Sequence, residues 1–280
     1  MPELPEVETI KNELVPHIVG HRITGITLFW DGIVRQPSAE EFCSRLIGQE
    51  ITGVARRGKY LIFSLTSSQA LLIHLKMSGS LLLKPTSAEP DKFTRAVIHL
   101  DKGTELYFRD PRKLGAMWLV DNKNAIVGKL RPEPLEANFT PQVLAQRLNN
   151  RMAPIKAILC DQTVIAGIGN MYADEALFAA GIHPLRSGKS LSQDEVERLH
   201  HAIRQILWSA INNKGASVDT YLRPSGELGT AHFQFQVDQY LSGKFCPVCG
   251  TPIERIPIRN RGSYFCPKCQ PRASGLIFRL

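Results

Sequence analysis

The sequence predicts an α+β, multidomain protein: a helix entering a β-rich segment, then a helical segment, then a small metal-binding hairpin. Three observations predict it. Residues 22–120 hold eight short runs rich in Ile, Leu, Val and aromatics, set apart by Gly25, Gly32, Gly58, Gly79 and Gly103. Beyond Leu130–Thr140, which carries two prolines, the pattern becomes helical. Finally, Cys246-Pro-Val-Cys249 and Cys266-Pro-Lys-Cys269 form two Cys-x₂-Cys knuckles with sixteen residues between them. A chain of 280 residues is also long for a single domain.

From Pro5 to Val19, residues Val7, Ile10, Leu14 and Ile18 recur at helical spacing, and Glu6, Glu8, Lys11 and Asn12 occupy the opposite face. Gly20 stops this helix. Strands are expected at His21–Trp30, Glu50–Arg56, Lys59–Leu65, Ala70–Lys76, Ser80–Lys84, Ala96–Leu100, Thr104–Phe108 and Ala116–Val120. Eight consecutive short strands imply a sandwich or barrel rather than alternating β/α units. Glu40–Gly48 reads as a small helix and Pro85–Phe93 as a surface loop. After the linker, helices are expected at Pro141–Asn149, Ile155–Gln162, Met171–Ala179 and Gln193–Lys214. In Ala166-Gly167-Ile168-Gly169-Asn170 the glycines permit a tight turn, and Asn170 is expected to cap the next helix. Its exposed N–H groups suit a phosphate, although an ordinary helix–helix turn explains the pattern equally well. Residues 215–230 show no periodicity and read as a connection or a functional lid.

Four thiolates at this knuckle spacing complete a tetrahedron around one zinc ion with no open position, so the metal is structural. Gly250–Phe265 should then be a β-hairpin with Ile258-Arg259-Asn260-Arg261-Gly262 at its tip. Two arginines there suit a phosphate or a nucleic-acid groove; otherwise they make a solubilising turn. Cys43 and Cys160 belong to no motif and are expected to be buried, reduced thiols.

A net charge of +8 favours an anionic partner, nucleic acid first. No apolar run approaches the roughly 20 residues of a membrane span, and the N-terminus lacks the basic and apolar regions of a signal peptide. A cytoplasmic, nucleoid-associated protein without a membrane partner is expected, and its cysteines then favour metal over disulfides.

The chain opens Met1-Pro2-Glu3-Leu4-Pro5-Glu6-Val7-Glu8. Removal of Met1 would leave Pro2 with a free secondary amine. Such an amine attacks a sugar aldehyde carbon and forms an iminium that is cationic without further protonation. An α-amine titrates near 8, against roughly 10.4 for a lysine, so more of it is unprotonated at neutral pH. Glu3 and Glu6 stand beside it as candidate proton donor, acceptor or positioning group. Pro and Glu also suit any helix start, because Pro lacks an N–H and carboxylates complement the dipole. Three basic clusters recur at strand ends: Arg56, Arg57 and Lys59; His74, Lys76 and Met77; and Arg109, Arg112 and Lys113. Together they could form one basic wall for a phosphate backbone.

These pieces, in this order, resemble the bacterial formamidopyrimidine-DNA glycosylase family. The resemblance rests on Pro2–Thr9, Arg56-Arg-Gly-Lys-Tyr60, His74-Leu-Lys-Met-Ser-Gly79, Arg109-Asp-Pro-Arg-Lys-Leu-Gly115, Pro154-Ile-Lys156, Ala166–Phe178, Gly181-Ile-His-Pro184, Cys249-Gly-Thr-Pro-Ile253 and the four-cysteine finger. It implies an N-terminal β-sandwich (1–133), a helix–two-turn–helix module (141–230) and a zinc finger (236–272), with DNA in the cleft between. It implies excision of oxidised purines (8-oxoguanine and formamidopyrimidines) from double-stranded DNA. Strand cleavage at the abasic site would follow by β,δ-elimination through a Schiff base. The enzyme would act as a monomer with one structural Zn2+ and no organic cofactor.

By the same resemblance, Pro2 is the nucleophile at C1′, Glu3 assists base loss and proton transfer, and Glu6 supports them. Lys59 contacts DNA and assists catalysis. Asn170 and Arg261 bind phosphates around the flipped nucleotide, His74 makes another backbone contact, and Lys156 is linked to oxidised-purine processing. Met77, Arg112 and Leu114 enter the stack where the base leaves, because an apolar wedge fills the hole and an Arg satisfies the orphaned partner. Here the chain departs from the family, which usually has Phe at the position of Leu114. Ser217–Gly229 matches the variable lesion-capping loop. Pro271–Leu280 runs past the usual end and is assigned no function. Three other readings are less consistent with the chain. An oxidised-pyrimidine glycosylase of the endonuclease VIII type conflicts with the Glu-Leu-Pro-Glu opening and Lys156. A non-catalytic damage-binding zinc-finger protein predicts no covalent intermediate, and an N-terminal-proline tautomerase leaves the finger unexplained.

Overall fold

The computed structural model describes residues 1–237 and 243–272. Residues 238–242 of the expected zinc-finger domain, and the tail from 273 onward, lie outside the described residues. The chain divides into two compact units: 1–129 with 210–232, and 130–209 with 233–280. Residues 210–232, expected from the sequence to go with the helices, thus cluster with the β-rich unit.

The first unit begins with α1 (Leu4–Ile18), whose Val7, Ile10, Leu14 and Ile18 are all buried. Nine strands follow, interrupted by one short helix: β1 (Ile23–Leu28), β2 (Val34–Gln36), α2 (Ala39–Leu46), β3 (Ile51–Arg57), β4 (Tyr60–Leu65), β5 (Ala70–His74), β6 (Ser80–Pro85), β7 (Thr94–Leu100), β8 (Thr104–Arg109) and β9 (Ala116–Val120). One sheet runs β1-β7-β8-β6 and the other β2-β9-β5-β4-β3. Only the short β2, which the sequence pattern did not reveal, pairs in parallel, alongside β9. Alternation along each strand divides its side chains between two faces. In β8, Leu106 and Phe108 enter the main core, whereas Tyr107 joins Leu82 and Val97 on the opposite face. The main core gathers Leu61, Phe63, Leu71 and Ile73 from the five-stranded sheet, Leu81 and Ile98 from the four-stranded one, and the apolar face of α1. The architecture is therefore a two-sheet sandwich with a helix packed on it.

A four-residue helix, α3 (Asn124–Val127), closes this part of the chain. The second unit holds α4 (Pro141–Leu148), α5 (Ile155–Leu159), α6 (Asn170–Ala180), most of α7 (Gln193–Asn212), and the hairpin β10 (Glu254–Ile258) with β11 (Arg261–Phe265). Along α7, the buried Val196, Leu199, Ala202, Ile203 and Leu207 trace one helical face. Helix α6 ends at Gly181 in the left-handed conformation, which a glycine adopts without cost. A small core of Phe178, Val237, Cys246, Ile253 and Cys266 joins α6 to the knuckles. Gln270 adds a polar tie, accepting from the Cys266 N–H and donating to the Ile182 carbonyl, each at 2.9 Å. Among the described residues no helix is long and apolar enough to cross a membrane.

Candidate active site

Pro2 is buried immediately ahead of α1, and the exposed Met1 precedes it. With Met1 attached, the Pro2 nitrogen is an amide; as the first residue it would be an amine. Glu3 is the N-cap of α1, and Glu3 and Glu6 form a reciprocal capping box. The Glu6 carboxylate accepts the Glu3 N–H at 2.7 Å and, through its other oxygen, the Ala216 N–H at 2.8 Å. Glu6 is therefore fully buried and not on the solvent face that its spacing suggested. Two charge-assisted bonds hold the segment beside Pro2 and tie in residue 216, more than two hundred positions away in the chain.

Glu8, also expected on the polar face, receives Arg56 Nε at 2.6 Å and Lys11. Burial alone would raise its carboxyl; the hydrogen bonds and charges of Lys11 and Arg56 outweigh this and hold it below its ordinary value. Arg56 thus serves helix α1, and its Nη1 donates to the Gly58 carbonyl. Arg109 is likewise committed, paired with Asp91 at 2.6 Å and lying over the Phe93 ring. The basic wall expected from three clusters is correspondingly smaller.

Lys59 sits in the two-residue turn between β3 and β4, where Arg57 pairs with Tyr60. It is 7 % exposed, and no acidic partner reaches it among the described residues. On the adjoining strand, His74 stands edge-on to Tyr60 with centroids 4.5 Å apart. Burial first, then the charges of Lys76 and Lys59, push its pKa down to about 3. The neutral ring accepts the Lys76 N–H at Nδ1, 2.9 Å away, so Nε2 carries the proton as a donor. Met77 and Leu114 are large apolar residues left 43 % and 36 % exposed, and Arg112 Nη1 lies 3.6 Å from Met77 Sδ. The structure therefore brings these three side chains onto neighbouring loops.

In the second unit, Lys156 is 2 % exposed and forms an ion pair with buried Asp174. Its ammonium also donates to the Asn170 carbonyl at 2.8 Å. The resemblance links Lys156 to oxidised-purine processing and DNA binding; the structure gives it a buried acidic partner and has it support Asn170. Asn170 does not cap α6. Gly169 does, and Asn170 is the first helical residue, its Nδ2 donating to the Gly262 carbonyl of the hairpin at 2.9 Å. The tip, Arg259-Asn260, has both residues at positive φ, as a two-residue hairpin turn of this twist demands. Arg261 is exposed there with no acidic partner among the described residues. Lys156, Arg259 and Arg261 line one cavity of about 220 Å³.

The sulfur atoms of Cys246, Cys249, Cys266 and Cys269 all lie within 4.8 Å of one another. Thr251 hydrogen-bonds the Cys249 sulfur, lowering that thiol toward thiolate, while burial raises Cys266 and Cys269. One dication would discharge the remaining thiols, so the donor set fits one closed, structural Zn2+. Cys43 and Cys160 carry reduced thiols and are only partly buried, and Cys160 Sγ lies 3.3 Å from the Gly169 carbonyl.

Three family models match the chain in succession. They are the formamidopyrimidine-DNA glycosylase N-terminal domain over residues 1–117, the H2TH domain of the same enzyme over 130–221, and a zinc finger found in FPG and IleRS over 243–272. The formamidopyrimidine-DNA glycosylase of Chloroflexus aurantiacus is 45 % identical over 273 residues, covering 96 % of this chain and 98 % of that protein. The chain belongs to the formamidopyrimidine-DNA glycosylase family. The Geobacillus kaustophilus glycosylase is 43 % identical, with 96 % and 100 % covered. Among solved structures, a Lactococcus lactis glycosylase variant with a Fapy-dG containing DNA superposes with TM-score 0.90 at 34 % identity, covering 97 % of this chain and all of that one. The Lactococcus lactis enzyme with an abasic site containing DNA also gives 0.90, at 33 % identity with 96 % and 100 % covered. Within this glycosylase framework the basic residues form a pattern visible in the sequence, whereas the acids that hold it in place, Asp110, Asp174 and Glu8, emerge only from the fold.

Proposed function

We propose that this glycosylase excises oxidised purines from duplex DNA and then cleaves the strand at the abasic site, with Pro2 as its nucleophile. The observation that carries the reading is the buried start of α1, where the Glu3–Glu6 capping box directly follows a residue whose nitrogen becomes a secondary amine once Met1 is gone. The free Pro2 nitrogen attacks C1′, and the C1′–N9 bond breaks as the purine leaves with a proton. Opening of the C1′–O4′ bond gives the iminium. Its positive charge draws electrons from C2′, so loss of a C2′ proton expels the 3′ phosphate, and a second elimination expels the 5′ phosphate. Water then releases Pro2. Glu3 supplies proton transfer at the sugar, and Glu6 fixes the first turn that carries both residues.

Lys59, desolvated and without an acidic partner, is assigned to the DNA and to proton transfer. His74 Nε2–H, Arg261 and the remaining amide hydrogen of Asn170 are assigned to backbone phosphates. Met77, Arg112 and Leu114 are the group inserted into the stack. Lys156 acts one step back, by holding Asn170. The four cysteines hold the zinc, whose part is to keep the hairpin folded so that Arg261 and Gly262 stay in place. The protein works as a monomer on the chromosome, in the cytoplasm.

Adding one residue ahead of Pro2 tests the reading, since it turns the amine into an amide without altering the body of the protein. The expected result is retained duplex binding with no strand cleavage at 8-oxoguanine opposite cytosine. The unextended enzyme should leave phosphates on both sides of the gap. Cleavage unchanged by the extension would overturn Pro2 as the nucleophile.

A further inference from the structure

Met77 and the pair Arg112 and Leu114 stand on two loops separated by more than thirty residues of sequence. Both loops meet one carboxylate, Asp110, which is 0 % exposed. Its Oδ1 receives the Ser78 hydroxyl from the first loop and the Arg112 N–H at 3.2 Å from the second. Its Oδ2 receives the Leu114 and Gly115 N–H groups, each at 2.7 Å. The Asp110 backbone is held as well: its N–H donates to the Phe93 carbonyl, and its carbonyl accepts Arg95 Nε at 2.7 Å. Both loops also close on the Phe108 ring. A Cβ on Gly79 of the first loop would come within 2.9 Å of that ring, and one on Gly115 of the second within 2.5 Å. The two loops are thus clamped on one acid and one aromatic ring.

The clamp has strain to contain. Lys76 and Lys113, each directly before a wedge residue, adopt positive φ of 55° and 54°. A non-glycine residue in that region is strained and persists only where its surroundings hold it. Exposed apolar side chains on such loops would otherwise sample many orientations and lose most of their entropy on entering DNA.

We infer that Asp110 is a positioning residue that locks Met77, Arg112 and Leu114 into a single preorganised wedge, and that Ser78 couples the first loop to the second through it. The inference rests on the reading of those three side chains as the inserted group. The wedge matters only where there is a base stack to invade. Loosening it slows base extrusion from a duplex but leaves the chemistry of Pro2 on an already exposed sugar untouched.

The test compares Asp110→Asn, Ser78→Ala and Met77→Ala on two substrates: a duplex with 8-oxoguanine opposite cytosine and 2-aminopurine beside it, and a single strand carrying an abasic site. Asp110→Asn is expected to slow the 2-aminopurine change and excision by about tenfold, the scale of one lost charged hydrogen bond. Ser78→Ala, which keeps the carboxylate, is expected to slow them less, and it decides the matter if the Asn variant does not fold. Single-strand cleavage should stay within about twofold for Asp110→Asn and Ser78→Ala. Unchanged duplex excision in Asp110→Asn and Ser78→Ala, with Met77→Ala impaired, would overturn the clamp alone. Unchanged excision in all three would overturn the wedge reading itself. An equal loss on both substrates by a folded variant would make Asp110 merely structural.

Discussion

Two lysines in this molecule are almost equally buried and have opposite surroundings. Lys59, in the β3–β4 turn, has no acid within reach among the described residues. Lys156, in α5, faces the carboxylate of Asp174 and donates to the Asn170 carbonyl. Burying an ammonium is costly unless its charge is matched. For Lys156 the match is internal, and the charge is spent on fixing Asn170. For Lys59 the described residues offer no such match, and its proposed counter-charge is DNA phosphate. The lesson is that burial alone does not distinguish a structural cation from a functional one; the partner does.

The comparison breaks most visibly if its outer support is removed. Asn170 is tied on one side by Lys156 and on the other by Gly262 of the hairpin, which depends on the four-cysteine site. Chelation of zinc, or Cys246→Ser, is expected to abolish tight duplex binding as measured by fluorescence anisotropy, because structural zinc contributes roughly 10 kcal/mol or more to such small folds. Retained tight binding without metal would contradict the role given to the finger.

Next in size is the ion pair itself. Asp174→Leu leaves Lys156 buried and unmatched and should cost about 3–5 kcal/mol in urea denaturation, whereas Asp174→Leu with Lys156→Met should recover most of it. Failure of the double variant to recover would mean that the pair does more than neutralise itself. Lys59→Met is the contrasting case. It should leave the denaturation midpoint nearly unchanged, yet lower excision by about 100-fold, the scale of a lost acid–base or charge-stabilising group. A stability loss like that of Asp174→Leu would erase the distinction between the two lysines.

The smallest effect is with pH. Burial first, then neighbouring positive charge, lowers His74 to about 3 and His183 to about 4. The unfolded histidines bind protons near 6.5, so the unfolded state takes up more protons below that pH. Stability from both residues is complete above about 6.5 and falls as the pH drops through 5. His74→Gln should flatten that fall in a denaturant series from pH 7 to 5; an unchanged slope would show that His74 is not the neutral donor assigned here.

Much of this was legible in the sequence because it is local. Strand β9 occupies its expected residues, Ala116–Val120, and α1 buries the four residues its period selects. The knuckles declare their metal by spacing alone. What could not be read were partners distant in the chain. Glu6 reads as a solvent-facing helix residue until Ala216 arrives to bond it. Arg56 and Arg109 read as free cations until Glu8 and Asp91 claim them. Asn170 has the residue type of an N-cap but sits one position inside the helix, and its amide is drawn to Gly262 instead. Asp110 stands unremarked between Arg109 and Pro111 in the sequence, and only the fold shows the Met77 loop and the Arg112–Leu114 loop converging on it.

The most direct test of the account is borohydride reduction of the enzyme on a duplex carrying 8-oxoguanine opposite cytosine, followed by peptide mass mapping of the trapped complex. The account predicts one covalent adduct, on the peptide beginning at Pro2, with Met1 gone. An adduct on Lys59 or another lysine would contradict it, as would no adduct from a protein with a verified free Pro2 that still binds and cleaves the duplex.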